Sequence, residues 1–167
     1  MKTFAIQYGF AEGPKIAQKF ITDLTHDGWE LTSVETADII IAHSGGSRVI
    51  PEINSAESIV LVNISPWPEV SLLGALTRKL TSERFSASKV LWNFWYGISN
   101  IPYAFSMKRN YSLPPANKTI IIRNIKDTYM PKKRLTELSA AGYEIIELPG
   151  THDDIWENPT SYINIID

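Results

Sequence analysis

The chain has 167 residues, 44% of them hydrophobic and 20% charged, the balance of one domain large enough to bury its own core. A formal net charge of -2, with 16 scattered Lys and Arg, supplies no field for nucleic acid. With no cysteine and three histidines, disulfides, thiolate metal sites and cysteine nucleophiles are excluded, and a histidine metal cage has few ligands to draw on. Met1 to Gly9 turns polar too soon for a signal peptide and no run approaches a membrane span, so the expected location is cytoplasmic.

Thr3 to Tyr8 mixes β-branched and aromatic residues and stops at Gly9, which predicts a first strand followed by a loop from Gly9 to Gly13. Pro14 suits the first turn of a helix with an apolar stripe of Ile16, Ala17, Phe20, Ile21 and Leu24, ended by Gly28. A second strand is expected from Trp29 to Val34. The connection Glu35-Thr36-Ala37 is too short for a covering helix. Three successive isoleucines, Ile39 to Ile41, then mark a strand buried on both faces, which runs into the small-residue turn Ala42-His43-Ser44-Gly45-Gly46.

Ser47 to Asn54 is expected to form a short helix, shortened or kinked by Pro51, and Ser58 to Ile64 another buried strand. Such alternation predicts an α/β fold: a three-layer α/β/α sandwich around a mainly parallel central sheet, in a single domain spanning residues 1–167. From about residue 66 to 117 the strand signal lapses. Val70, Leu72, Leu73, Leu76 and Leu80 have helical spacing, and Trp92, Phe94, Trp95, Tyr96, Tyr103 and Phe105 follow, so a helical, aromatic-rich excursion is expected. Its rings either cover one face of the sheet or, with Trp67, Trp92 and Trp95 in front, line an apolar substrate pocket; a second copy or another protein is the alternative occupant of that face.

Thr119 to Arg123 restores the sheet, and the loop after it carries Asp127. A helix from Pro131, with Leu135, Leu138 and Ala141 on its apolar side, is capped by Gly142; the last strand, Tyr143 to Leu148, runs into Pro149-Gly150-Thr151-His152. Asn158-Pro159 starts a terminal helix that docks through Tyr162, Ile165 and Ile166.

Ser44, Asp127 and His152 each follow the C-terminal end of a predicted inner strand, the edge of an open parallel sheet where ligands collect. Asp127 and His152 are 25 positions apart, room for one helix and one strand, which places these two above neighbouring strands. A serine hydroxyl is a weak nucleophile until an imidazole takes its proton, and the imidazole needs a carboxylate to fix its tautomer. Each role is represented once.

Ala42-x-Ser44-x-Gly46 differs by one residue from the G-x-S-x-G elbow. With the acid loop Ile122 to Pro131 and the histidine loop Pro149 to Trp156, it resembles the α/β-hydrolase family, particularly its small, minimal serine hydrolases with a trimmed N-terminal part. Ala42 stands for the first glycine of the elbow, and Tyr8 stands where many relatives carry histidine before the glycine of the first-strand loop. The resemblance implies a Ser44, His152 and Asp127 triad, with the backbone N–H groups of Gly45 and Phe10 as the oxyanion hole. It implies a serine hydrolase acting through an acyl-enzyme on a small-molecule ester, thioester or amide, with no metal and no organic cofactor. The alternatives are a binding or scaffold protein that keeps this fold without turnover, its contact surface at Trp92 to Phe105, and a flavodoxin-like nucleotide- or phosphate-binding domain. The Gly9 to Gly13 loop lacks the glycine pattern and the lysine of a phosphate cradle.

His43 belongs to the strand and points opposite to its neighbour; it is either packed and hydrogen-bonded or part of the substrate pocket. His26 sits at a helix end beside Asp27, where a dipole contact explains it. His152 with Asp153 and Asp154 makes a poor metal set. Lys132, Lys133 and Arg134 open a helix as a solvated face.

Overall fold

The computed structural model describes residues 2–9, 12–48, 50, 55–64, 113–127, 130 and 132–166. Within them the order is β1 (Thr3–Gln7), α1 (Gln18–His26), β2 (Glu30–Leu31), β3 (Ile39–His43), a 3-10 turn at Ser44–Arg48 and β4 (Ser58–Val62). After a second 3-10 turn at Ala116–Lys118 come β5 (Thr119–Asn124), α2 (Lys132–Ala140), β6 (Glu144–Leu148), α3 (Asp154–Glu157) and α4 (Thr160–Ile166). The strands form one six-stranded sheet in the order β2-β1-β3-β4-β5-β6, and every pairing is parallel.

Parallel pairing leaves both sheet faces to be covered, and the strand residues divide accordingly. Phe4, Ile6, Ile41, Val60, Val62 and Ile122 pack with Phe20 and Leu24 of α1, Trp156 of α3 and Tyr162, Ile163 and Ile166 of α4. Ala5, Ile40, Ala42, Ile59, Leu61 and Ile121 take the opposite face with Leu138 of α2 and with Met130, which precedes that helix. That is the expected three-layer sandwich. Both α1 and α2 end on a glycine with φ of +88°, Gly28 and Gly142. In each case the following residue reaches back across the last turn, Trp29 N–H to Leu24 O at 3.1 Å and Tyr143 N–H to Leu138 O at 3.1 Å.

Several expectations need correction. Residues 14–16 form a turn and α1 begins only at Gln18, so Ile16 lies off the apolar stripe and is 48% exposed. The strand expected from Trp29 to Val34 is two residues long, because β2 is an edge that pairs only through Thr3 with Glu30 and Phe4 with Leu31 before the chain turns. Trp29 is buried in the core instead. A 3-10 turn runs from Ser44 to Arg48, while residues 49 and 51–54 of the helix expected over Ser47 to Asn54 lie outside the described residues; α3 was not anticipated by any apolar period. The aromatic excursion, with Trp67, Trp92 and Trp95, lies outside the described residues. Among the described residues no helix is long and apolar enough to cross a membrane.

The revised stripe of α1 has a direct check. Phe20→Ala removes a fully buried ring and is expected to lower unfolding free energy by about 3–5 kcal/mol in urea denaturation, whereas Ile16→Ala stays within about 0.5 kcal/mol. Equal losses at the two positions contradict the start of α1 at Gln18.

Candidate active site at the C-terminal edge of the sheet

The β3 strand ends at His43, and the next residue, Ser44, has φ of +51°. A non-glycine residue held in the left-handed region costs roughly 1–2 kcal/mol, so something must impose the bend. Gly46 provides one cause: a Cβ there would overlap Gln7 O and lie 2.6 Å from Tyr8 O, so the turn packs directly on the end of β1. Ser47 provides another, its buried Oγ–H donating to Ser44 O at 2.8 Å. The first-strand loop also passes close by, since a Cβ on Gly9 would be 3.0 Å from Ser44 Cβ and 3.0 Å from His43 O. Gly45 is buried in the same turn, while Phe10 lies outside the described residues.

Asp127 and His152 are brought together by the last ladder of the sheet. Beyond β5 and β6 the pairing continues through Ile125 N–H to Leu148 O at 2.9 Å and Lys126 N–H to Gly150 O at 3.0 Å. The acid turn and the histidine loop therefore leave the sheet side by side. Asp127 N–H turns back to Asn124 O at 2.9 Å, and the buried carboxylate Oδ1 lies 3.2 Å from His152 Nδ1.

Ser44 stands two strands away from Asp127, and His43 and Asn63 span the interval. The His43 ring centroid is 4.8 Å from that of His152, and His43 Nε2 lies 2.8 Å from the backbone O of His152. Asn63, the first residue beyond β4 with φ of +48°, donates from Nδ2 to the same oxygen at 2.6 Å and to Asn124 Oδ1 at 2.6 Å. Its own Oδ1 accepts Asn124 N–H at 2.8 Å. Asn124 then donates from Nδ2 to Tyr162 OH at 2.6 Å and to Pro149 O at 3.2 Å.

His43 is packed and hydrogen-bonded. It is fully buried, with Nδ1 2.7 Å from Glu12 Oε1 and Trp156 packed edge-on at 5.3 Å, so neither nitrogen is left for a substrate. Burial opposes ionisation at both partners of this pair, yet the contacts prevail. The Glu12 carboxyl is held below its ordinary range by His43 and by the Gly9 N–H, and the His43 imidazole is held above its own by Glu12 and the His152 carbonyl. His43, His152 and Asp153 offer ligand atoms within 4.8 Å of one another, but the engagement of both His43 nitrogens makes that cluster a poor fit for a metal.

Glu12, Asn63 and Asn124 were missed by sequence reasoning. Two asparagines each closing an apolar β-branched run were the available signal, since asparagine tolerates a positive φ and brings both a donor and an acceptor. Glu12 offered none: a lone acid in a glycine-flanked loop reads as solvated.

No family model and no curated protein matches the sequence. Solved structures do match, along 99% of the chain. A carboxylesterase from Nitrososphaera gargenis superposes with a TM-score of 0.64 at 14% identity over 88% of its own length. A hydrolase from Pseudomonas aeruginosa PA01 gives 0.66 at 13% over 88%, and the enol-lactonase of Burkholderia xenovorans LB400 gives 0.62 at 12% over 89%.

The docking of the serine turn on β1 leads to an expected outcome. Gly46→Ala forces a methyl into two backbone carbonyls and should destabilise the protein by about 1–3 kcal/mol in urea denaturation. Gly13→Ala, where nothing lies within 4 Å of the added carbon, should be neutral or slightly stabilising. A Gly46→Ala protein as stable as the parent would mean that the turn is not packed on β1.

Proposed function

Because the chain has the α/β-hydrolase fold, shared with solved enzymes of that description, we propose that it is a serine hydrolase acting on a carboxylic ester, thioester or amide. The reading is carried by one observation: the buried Asp127 carboxylate 3.2 Å from His152 Nδ1, on the loop whose carbonyl is bound by the residue preceding Ser44.

The roles follow from the chemistry of each group. Ser44 Oγ attacks the substrate carbonyl as His152 Nε2 accepts the hydroxyl proton. Asp127 holds the Nδ1–H tautomer and stabilises the imidazolium that forms. The carbonyl oxygen becomes an oxyanion, for which the Gly45 N–H and that of Phe10 are the proposed donors. His152 returns its proton to the leaving alcohol, thiol or amine, which departs and leaves an acyl group on Ser44. Water, deprotonated by His152, then releases the acid and restores the serine. The left-handed bend supports this assignment, since it is how a strand-to-helix turn lifts a side chain clear of the sheet edge.

Fluorophosphonate labelling of intact protein, read by mass, is the test. One adduct is expected, on Ser44, absent in Ser44→Ala. Labelling should slow by roughly 10³-fold or more in His152→Ala and in Asp127→Asn, with hydrolysis of p-nitrophenyl esters falling in parallel. No adduct on Ser44, or an adduct formed equally fast in His152→Ala, would refute the hydrolase assignment and favour a protein that binds on this fold without turnover.

A further inference from the structure

Beneath the proposed triad lies a second acid and histidine that the reaction does not consume. Glu12 and His43 are both more than nine-tenths buried at their side chains and meet at 2.7 Å. The proton count of this contact follows from its neighbours. The His152 backbone oxygen only accepts, so His43 Nε2 carries a hydrogen to fill the 2.8 Å contact. Glu12 Oε2 accepts the Gly9 N–H at 2.7 Å, so it carries no hydrogen of its own, and Oε1 is left facing Nδ1. One proton sits in the Oε1 to Nδ1 contact. With it on nitrogen, the pair is an imidazolium and a carboxylate, each with its remaining hydrogen-bonding atoms directed to backbone.

We infer that Glu12 and His43 form a buried carboxylate–imidazolium pair that ties the first-strand loop at Gly9 to the histidine loop at His152 and thereby positions the site around Ser44. The chain of contacts is continuous: Gly9 N–H to Glu12, Glu12 to His43, His43 to the carbonyl of His152. His43 is also the residue bonded to Ser44, so one side chain is joined to the serine turn covalently, to the base loop by one nitrogen and to the first-strand loop by the other. Both residues are positioning residues; neither has an atom free for substrate. The groups facing His43 are Glu12, the His152 ring and the Asp153 charge, with Trp156 packed on its face. Ionisation of both partners agrees with the directions in which their environments push them.

The role in positioning a reaction rests on the hydrolase reading, whereas the ion pair does not, and the experiment separates them. In histidine-selective 15N-labelled protein at pH 7, both ring nitrogens of His43 should show imidazolium shifts and slowly exchanging protons. Glu12→Gln keeps an acceptor for Gly9 and presents an amide donor to Nδ1, so His43 should become the neutral Nε2–H tautomer while the loops stay in place. Glu12→Ala removes the bridge. Gly9 and the amides of 150–154 should then exchange at least 10-fold faster than in the parent, and Ser44 labelling should slow by about 100-fold, the scale of a misplaced constellation, with Glu12→Gln within about 10-fold of the parent. A neutral His43 in the parent protein overturns the ion pair. Unchanged exchange at Gly9 and 150–154 in Glu12→Ala overturns the tie between the loops. If the parent itself takes no label at Ser44, the hydrolase reading fails and the nitrogen shifts and amide exchange still decide the pair.

Discussion

The carbonyl oxygen of His152 accepts hydrogen bonds from two buried side chains, His43 Nε2 at 2.8 Å and Asn63 Nδ2 at 2.6 Å, and the geometry of the whole sheet edge depends on it. The donors come from the ends of β3 and β4, while His152 itself lies beyond β6. By then the chain has left the ladder, and no neighbouring strand defines its path. Two donors on one carbonyl fix the peptide plane and so the direction of the side chain that follows from it. The carboxylate of Asp127 at 3.2 Å then leaves the ring little rotational freedom.

Such an arrangement is sustainable only if it is complete. Buried polar groups left unpaired cost about 1–3 kcal/mol each, more when charged, and the edge holds several within an apolar sandwich. Asn63 and Asn124 satisfy each other and pass the surplus outward to the His152 carbonyl, the Pro149 carbonyl and the Tyr162 hydroxyl. Trp156 covers His43, packing edge-on against it and, at 5.9 Å, edge-on against Phe20 of the α1 core. A buried ion pair adds little net stability over apolar packing, yet breaking it from one side is expensive. Its effect is therefore to make one arrangement of these loops far better than any other.

The parts of this protein that were legible in its sequence are those governed by local pattern. Runs such as Ile39-Ile40-Ile41 and Ile59-Val60-Leu61-Val62 announce strands buried on two faces, and their alternation with amphipathic stretches announces a parallel sheet. Chain order alone placed Asp127 and His152 on neighbouring strands, because an ordinary crossover separates them. Where the outcome depends on tertiary neighbours, the pattern fails. Nothing local tells Glu30 and Leu31 that β2 is an edge with one partner, and nothing in the 10–13 loop tells Glu12 that a buried imidazole lies across from it. His43 shows the same limit, since alternation along β3 turns its side chain toward one face but cannot say that both ring nitrogens will be engaged there.

The two non-glycine residues with positive φ among the described residues, Ser44 at +51° and Asn63 at +48°, stand directly after adjacent strands at the same edge. Strain gathered there needs support from below, and the support is visible: β3 and β4 are buried along nearly their whole length and share five register pairs, from Ile39 with Ser58 to His43 with Val62. Glycine at either position would relax the backbone and forfeit the side chain. At 63 the lost amide would leave Asn124 N–H and the His152 carbonyl each short of a partner; at 44 it would remove the serine hydroxyl. Asparagine meets the demand cheaply because its short polar side chain tolerates this conformation, whereas serine must be held in it by Gly46 against β1 and by Ser47 on its carbonyl. The sheet thus accepts a fixed conformational penalty at two neighbouring strand ends, and at 63 the side chain retained is the one that locks the histidine loop.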